Sequence, residues 1–476
     1  ALASGGGELR AFIVVVDRMI ALFLACVGRT AGIGPVLSEL FTCSGHELYT
    51  CFFDLPELAY TCETPPELPH APDAAIDRLV RRARVLPPGR GLVPLGLLYE
   101  QTDELGMPDL GVVIGGGEAG AAACSGFIAL APNFAVVREF SEALRRDPGA
   151  PGWSEGQQEA ARRDAAGAPE LAPEPHLPLR KVLIVGFRPA TIALCEALLL
   201  AEPDADILVL VATEAERRAA LDRINVHRDM VERHLLRGYH GALVPRPEGD
   251  FAYQHQDGGP ALGRVQLVVG DATSPLQLVD LPGEFGHVSE FDLVYILSSA
   301  AQDSDARGAQ TLMTLDALLS RSENAAPNLR VVAELVDAEL AHRLRQRYAA
   351  LGVSRVQVYS TENLRAYFLF QSVLIPGFSR VYGQLLAPWG HSFARVLAHG
   401  RGRGACTFQA LSVHVAAAGH GALIGVELDG EAGGVELHLG TGPASADGRI
   451  DLSRLRAAWV VAPDPAERRQ AARTTA

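Results

Sequence analysis

The residues best placed for ligand chemistry follow an apolar run at 181–185, which reads as a buried parallel strand. Gly186, Phe187 and Arg188 come directly after it, and Pro189 suits the first turn of a helix because its missing N–H needs no partner there. The free N–H groups and the dipole of such a helix attract anions. The sequence therefore favours a purely structural turn, with a nucleotide- or anion-binding turn as the alternative.

This turn departs from the dinucleotide-binding fingerprint. Where the fingerprint has G-x-G-x-x-G the chain has GFRPAT, so only Gly186 remains. The acidic residue that would bind a ribose is also missing from the end of the second strand, where Thr213 stands and Glu214 follows. These differences disfavour NAD. Arg188 would either supply a charge in place of the lost backbone contact or pair with an acidic residue of a neighbouring subunit.

Acidic residues at other strand ends extend the candidate site. Asp271 follows the third strand, and Glu334 and Asp337 flank the end of the fifth. An aspartate at such a place accepts a hydrogen bond from a ribose, joins a cation site or caps the next helix. The predicted ligand-binding residues are therefore Gly186, Phe187, Arg188, Thr213 and Asp271, and the predicted metal ligands are Asp271 and Glu334.

Catalytic patterns are missing from the sequence. The fourteen histidines contain no HExxH or other tight metal spacing, and no GxSxG motif is followed by a suitable Asp and His. We therefore expect a protein that is not an enzyme, with a Rossmann oxidoreductase as the less favoured alternative.

A second glycine-rich stretch matches the dinucleotide pattern literally. Residues 115–120 read GGGEAG and follow an apolar run at 112–114. The next apolar run, at 127–130, begins too soon for a crossover helix and its return. The spacing predicts a glycine-rich hairpin, with a dinucleotide loop as the alternative.

Length, charge and cysteine content limit the class of protein. A chain of 476 residues has room for two to four domains. Its formal net charge of −14 argues against a nucleic-acid partner. The seven cysteines are scattered along the sequence and never form a CxxC motif, which is typical of reduced thiols. No signal peptide or membrane span is evident, since the apolar stretch at 11–28 contains Asp17 and Arg18.

An internal duplication relates the two ends of the chain at an offset of 345 residues. Ala21, Phe23 and Leu24 match Ala366, Phe368 and Leu369, and the identities resume without a gap beyond them. The resumed matches pair Gly32, Val36, Leu40, Gly45 and His46 with Gly377, Val381, Leu385, Gly390 and His391. Each copy predicts two amphipathic helices separated by a Gly/Pro break, which suits a subunit contact; an ordinary helical hairpin is the alternative.

Alternating apolar strands and helices fill residues 181–360. Six strands are predicted at 182–185, 207–211, 265–269, 293–297, 331–335 and 356–359, with a surface loop at 238–263. This alternation indicates an α/β fold with a Rossmann-like, doubly wound parallel sheet. Short strands after each helix pair indicate small α+β C-terminal lobes.

The predicted domains follow from these elements. Residues 1–150 form the C-terminal part of a first unit, with crossover helices and a small lobe, and 151–178 form a linker by composition. Residues 179–360 form the Rossmann-like subdomain of a second unit, 361–398 its crossover helices, 399–463 its small lobe and 464–476 a tail. The Rossmann half of the first unit is expected before Ala1.

The ordered set KVLIVGFR, VVGDAT, VVAELVD and the duplicated helix pairs resembles the tandem regulator-of-K⁺-conductance (RCK) domains of ligand-gated ion channels, and the CASTOR/POLLUX branch in particular. That branch also has a glycine–aromatic–arginine turn, here Gly186 to Arg188. The resemblance covers most of residues 10–463. The chain departs from it in the 238–263 insertion, in a weak ending of the first lobe after Asn133, and in lacking the first Rossmann half and the pore.

The resemblance implies the cytosolic gating ring of a cation or potassium channel, soluble as a fragment of a membrane protein. Four chains would assemble as a homotetramer, each contributing two RCK units beneath an upstream pore. Ca²⁺ or a nucleotide is implied as the ligand, and the residues leave that choice open. The alternative is an NAD- or ATP-binding regulatory subunit of a potassium uptake system.

Overall fold

A computed structural model describes residues 2–3, 9–10, 16–41, 45–52, 72–84, 91–102, 108–115, 124–146 and 152–463. The last range has short gaps at 237–238, 240, 283, 299–302, 322–328, 352, 354, 376, 388–389, 431–434 and 441–447.

Helices and strands alternate through most of the described chain. The helices are α1 (Val16–Arg29), α2 (Ile33–Phe41), α3 (Pro72–Ala83), α4 (Phe134–Arg146), α5 (Glu155–Asp164), α6 (Pro189–Ala201), α7 (Glu214–Glu232), α8 (Pro275–Val279), α9 (Ser304–Arg321), α10 (Ala338–Ala350), α11 (Thr361–Leu374), α12 (Phe378–Leu385) and α13 (Phe408–Ala417). The strands are β1 (Leu2–Ala3), β2 (Leu9–Arg10), β3 (Glu47–Phe52), β4 (Val93–Thr102), β5 (Pro108–Ile114), β6 (Cys124–Ala131), β7 (Glu170–Pro173), β8 (Lys181–Val185), β9 (Asp206–Val211), β10 (Gly241–Pro245), β11 (Phe251–His255), β12 (Leu262–Val269), β13 (Leu293–Leu297), β14 (Arg330–Leu335), β15 (Val356–Ser360), β16 (His391–His399), β17 (Ala405–Thr407), β18 (Ala422–Asp429), β19 (Val435–Leu439), β20 (Arg449–Asp451) and β21 (Leu455–Pro463).

The chain divides into two compact units. The Rossmann-like unit comprises the described residues of 15–31 and 176–369, and the lobe unit those of 1–14, 32–175 and 370–476. The chain therefore passes between units at 14–15, at 31–32 beside the break between α1 and α2, at 175–176, and at 369–370 within α11. The domain boundaries predicted from the sequence remain predictions, because the compact units follow packing and not the repeat.

The Rossmann-like unit is built on an eight-stranded sheet in the order β10-β11-β12-β9-β8-β13-β14-β15. The six strands from β12 to β15 in this order are parallel, and their chain order reads 3-2-1-4-5-6. Strands such as β8 and β13 are apolar runs because helices cover the sheet. The predicted α/β class with a parallel sheet is confirmed.

The prediction of a surface loop at 238–263 is wrong. Strands β10 and β11 pair antiparallel with each other and extend the sheet beyond β12. Phe251, Ala252 and Tyr253 are buried there. The Gly, Pro and His content of the stretch favoured a loop and drew attention away from two short apolar runs. Such runs form a β-hairpin when the edge strand of a sheet is available for pairing.

Two antiparallel sheets of the lobe unit share an equivalent order of four strands. The first runs β3-β6-β4-β5, and the second runs β16-β21-β18-β19, with β7 added beside β16; β1-β2 and β17-β20 form two further sheets of two strands. In both equivalent sheets the first strand, β3 or β16, follows a helix pair, so the duplication seen in the helices continues through the lobes. The hairpin predicted at 115–120 is wrong, because β5 and β6 lie on opposite sides of β4. Residues 116–120 themselves lie outside the described part.

The stretch predicted as a linker is partly folded. A capping box at Ser154 begins α5, and β7 pairs with β16 at the edge of the second sheet. Within the part of the chain that the structure describes, no helix has both the length and the apolar character needed to cross a membrane.

Candidate functional site

The candidate site lies at the carboxyl end of β8, where the chain turns into α6. Gly186 has a φ of +90°, and its N–H donates to the carbonyl of Leu210 at 2.8 Å. A Cβ at this position would lie 2.3 Å from the carbonyl oxygen of Leu297. Conformation and close backbone approach therefore both require glycine, whether or not a ligand binds.

Arg188 directs its charge inward from this turn. It is the N-cap residue of α6, and its N–H donates to the Thr191 hydroxyl at 3.0 Å. Its guanidinium forms an ion pair with Glu334, and Nη1 donates to Oγ1 of Thr361 at 3.4 Å. Only 7% of the residue is exposed. The positive charge predicted to meet an anion is thus already neutralised inside the chain.

Glu334 provides the other half of the pair from β14. The residue is fully buried, and the Thr361 hydroxyl donates to its Oε1 at 2.6 Å. Burial raises the pKa of Glu334, while Arg188 and Thr361 favour the ionised form and offset part of that effect. The cluster of Arg188, Glu334 and Thr361 joins the starts of α6 and α11 to the end of β14.

This geometry supports the structural interpretation of the turn. A buried guanidinium held by a carboxylate has to break that pair before it can bind a phosphate, and an unpaired buried charge is strongly destabilising. One of the two roles expected for Arg188 from the sequence was an ion pair with an acidic residue of a neighbouring subunit. In the structure its ion-pair partner is Glu334 of the same chain. Ligand binding by Gly186, Phe187 and Arg188 remains a prediction.

The other predicted ligand residues lie in strand-to-helix turns. Thr213 caps α7 by accepting from the N–H of Glu216 at 3.1 Å. Asp271 is exposed and accepts from the hydroxyl and the N–H of Thr273 at 2.7 and 3.1 Å. The hydrogen bond from the Thr273 hydroxyl is the main reason that the pKa of Asp271 is lowered. Asp337 caps α10 in the same manner.

The predicted metal ligands do not form part of a larger acidic group. Among the described residues, no three His, Cys, Asp or Glu side chains are grouped closely enough to hold a metal ion. Glu334 is engaged by Arg188 and Thr361, and Asp271 is engaged by Thr273. Metal binding by Asp271 and Glu334 therefore remains a prediction that this geometry does not favour.

Thr361 is a member of the cluster that sequence reasoning missed. It lies on the strand-to-helix junction after β15, 173 residues from Arg188. The available signal was the Ser-Thr-Glu stretch at 360–362, which is typical of a helix start. Nothing in that local pattern shows that the hydroxyl faces a buried carboxylate on another strand.

The second helices of the duplicated pairs, α2 and α12, form a second feature, within the lobe unit. Gly32 and Gly377 occupy the two breaks with φ of +74° and +77°. Helices α2 and α12 contact each other, since the Phe41 and Tyr382 rings are 4.7 Å apart and Tyr382 donates to the carbonyl of Leu40 at 3.4 Å.

The contacts that follow these helices are reciprocal. A Cβ at Gly440, which follows β19, would lie 2.3 Å from the His46 ring, and one at Gly115, which follows β5, would lie 2.1 Å from the His391 ring. His46 and His391 are equivalent in the duplication, so each copy presents its histidine to the glycine of the other lobe. The two lobes are therefore related as the halves of a pseudo-dimer.

Helices α1 and α11 are equivalent in sequence and differ in burial. On α1, Leu24 and Ala25 are 0% and 1% exposed because the helix packs along α6. Their counterparts Leu369 and Phe370 are 52% and 53% exposed, and Val373, one turn on, is 81% exposed. The same helical face is thus covered in one copy and open in the other.

Comparisons with known proteins show only distant structural similarity, of which two examples follow. No family model and no curated protein sequence matches the chain. Among solved structures, the GsuK channel matches with a TM-score of 0.28 at 12% identity, over 96% of this chain and 57% of that one. The siderophore-interacting protein of Acinetobacter baumannii matches with a TM-score of 0.17 at 10% identity, over 61% of this chain and 89% of that one. The chain therefore spans little more than half the length of the channel.

Proposed function

We propose that this chain is a non-enzymatic regulatory region that senses a ligand and passes the effect to a cation-conducting pore, as tandem RCK domains do. The observation that carries the proposal is the duplication of α1–α2 as α11–α12, with one copy packed on the Rossmann-like sheet and its equivalent open. Such a helix pair is suited to connecting repeated α/β units. A change in the angle between the connected units would occur at its helices and at the break between them.

The open face of α11 defines the kind of partner. Its counterpart on α1 is covered by α6, an apolar helix lying on a parallel sheet. We therefore infer that α11 packs on a second Rossmann-like subdomain. That subdomain would have the same relation to residues 16–146 as residues 179–360 have to residues 361–463. Two such units per chain would give a ring of eight in a homotetramer on the cytosolic side of a membrane.

The buried ion pair supports a regulatory role over an oxidoreductase. Arg188 and Glu334 occupy the turn where a dinucleotide pyrophosphate would approach, and no second fingerprint glycine makes room for it. A regulatory ligand acts by binding one conformation better than another. The difference between its affinities for the two conformations, and not its affinity alone, sets the shift in their populations.

A ligand screen on the 476-residue chain tests this proposal. Thermal unfolding is followed with Ca²⁺, Na⁺, NAD or ATP added singly, and saturation at one hundred times Kd stabilises by about 2.7 kcal/mol. We expect a rise in melting temperature with one of these ligands and no hydride transfer with nicotinamide cofactors. Sustained turnover of NAD or NADP with any substrate would overturn the proposal.

A flux assay tests the link to a pore. The proposal requires a protein in which this chain is joined to a pore; that protein is reconstituted in vesicles, and cation flux is measured with and without the stabilising ligand. We expect the ligand to change the flux, and Val373→Asp, which places a charge on the open face of α11, to abolish that change. If the ligand changed the cation flux of the Val373→Asp variant as much as that of the wild type, the exposed face of α11 would have no part in the response.

A further inference from the structure

Two buried titratable groups face each other in the helical layer of the Rossmann-like unit. Glu196 on α6 is 4% exposed, and its Oε1 lies 3.6 Å from Nδ1 of His227 on α7. Among the described residues, neither that oxygen nor either ring nitrogen of His227 has a hydrogen-bond partner. An ionised carboxylate without donors is unfavourable in an interior, so this pair is satisfied best when a proton lies between the two groups.

The groups around the pair come from three further parts of the unit. The Arg18 guanidinium of α1 lies 4.8 Å from the centre of the Tyr239 ring, and that ring meets the His227 ring at 4.8 Å. The other titratable groups whose charges bear on this cluster are Asp17 on α1, Cys195 on α6 and Tyr253 on β11.

Burial dominates the proton affinity of this cluster. It raises the pKa of Glu196 well above the ordinary range, and the attraction of Arg18 offsets only part of that rise. Burial also lowers the pKa of His227 to about 4. The two directions agree on a neutral pair, with the carboxyl as donor and the imidazole as acceptor.

Helix α1 covers α6, the helix that carries Glu196. It packs along α6, and the Tyr295 hydroxyl donates to the carbonyl of Leu24 at 2.9 Å. Separation of α1 from α6 would admit water to the carboxyl group and remove the cost of its ionisation.

We propose that Glu196 and His227 form a proton-binding site that keeps α1 packed on α6, so that loss of one proton to solvent as pH rises loosens this helix. Since α1 leads into the break at Gly32, the site gives the connector between the two units a response to pH. This response is separate from the ligand proposed above.

The direction of the response follows from proton linkage. Above the ordinary glutamate pKa, the folded chain holds a proton on Glu196 that the unfolded chain has lost, so stability falls as pH rises towards the raised value. His227 acts in the opposite direction between about pH 4 and pH 6.5, and the two effects cancel there. Above about pH 6.5 only Glu196 contributes, and opening becomes up to about tenfold more favourable per pH unit.

Hydrogen exchange of the intact chain tests the proposal. Protection of the peptide covering 16–29 is measured from about pH 6.5 to pH 8.5 and corrected for the intrinsic pH dependence of exchange. We expect protection of this helix to fall by up to about tenfold per pH unit in the wild type. Glu196→Gln keeps the shape of the protonated side chain and is expected to make protection independent of pH. The peptide covering α13, in the lobe unit, reports any global change.

Two further variants complete the test. Glu202→Gln removes another buried carboxylate, that of the C-cap residue of α6, which lies 2.8 Å from Nε2 of His176, and is expected to retain the wild-type pH dependence. Arg18→Gln removes the offsetting cation, so the loss of protection should continue to higher pH. Equal pH dependence in the wild type and Glu196→Gln, or no pH dependence in the wild type, would refute the proposal.

Discussion

The guanidinium of Arg188 and the carboxylate of Glu334 form an ion pair inside the carboxyl edge of the parallel sheet. Arg188 is the N-cap residue of α6 and Glu334 lies near the end of β14, and Thr361 at the start of α11 donates to the same carboxylate. At the turn after β8, a position that serves ligand binding in dinucleotide-binding proteins, the pair holds these three elements together.

Neutralising Glu334 is expected to destabilise the Rossmann-like unit strongly. Glu334→Gln leaves the buried guanidinium of Arg188 without its counter-charge, and loss of one partner from such a pair costs about 3–5 kcal/mol. Urea unfolding monitored by hydrogen exchange of the β14 peptide measures this loss. Glu290→Gln is the matched control, since Glu290 pairs with Lys181 at 2.9 Å on the surface and its loss should leave unfolding unchanged. Equal free energies of unfolding for the two variants would contradict the structural role of the Arg188–Glu334 pair.

The two equivalent leucines should respond differently to truncation. Leu24→Ala opens a cavity in the fully buried interface of α1 with α6 and should cost about 2–5 kcal/mol. Leu369→Ala, at the matching position of the half-exposed face of α11, should cost less than about 1 kcal/mol. Thermal unfolding of the isolated chain compares them. If the two variants were equally destabilised, the face of α11 would not be open in solution.

The two break glycines should differ in their tolerance of alanine. Each has a positive φ, for which a side chain costs about 1–2 kcal/mol. A Cβ at Gly377 would also lie 2.4 Å from Cδ2 of Leu110, whereas at Gly32 the nearest atom is 3.7 Å away. Gly377→Ala should therefore lower the melting temperature more than Gly32→Ala.

Gly383 provides the internal control for that comparison. It lies within α12, has ordinary helical geometry and has open space where a Cβ would be. Gly383→Ala should stabilise the lobe unit by up to about 1 kcal/mol through helix propensity. A loss of stability at Gly383 as large as at Gly377 would indicate that alanine disturbs α12 for reasons unrelated to φ.

Acid should weaken the lobe unit through His46. Burial lowers the pKa of His46 to about 4, so its contribution to stability is complete above the ordinary histidine value of 6.5 and is lost as pH falls towards 4. The loss amounts to roughly 3 kcal/mol over that interval. Thermal unfolding between these pH values measures it. His46→Gln should flatten the acid side of the curve, and His399→Gln, at an exposed position, should leave it as in the wild type.

Several features follow from local sequence because neighbouring residues determine them. The apolar runs at 182–185, 207–211 and 293–297 become parallel strands, since covering helices can follow them at short distance along the chain. The breaks at Gly32 and Gly377 are also local, because positive φ is tolerated best by glycine. The α/β class and the duplicated helix pairs were therefore predictable.

The remaining features depend on residues distant in the chain, which only tertiary packing brings together. Whether Arg188 meets an anion or Glu334 depends on a strand 146 residues away, and the charge is buried because β14 lies beside β13 in the sheet. The pairing of β10 with β11 depended on an available edge at β12, which composition did not reveal. Packing of α1 on α6 likewise joins elements that are distant in the chain, so that the apolar face of α1 is buried while its equivalent on α11 is exposed.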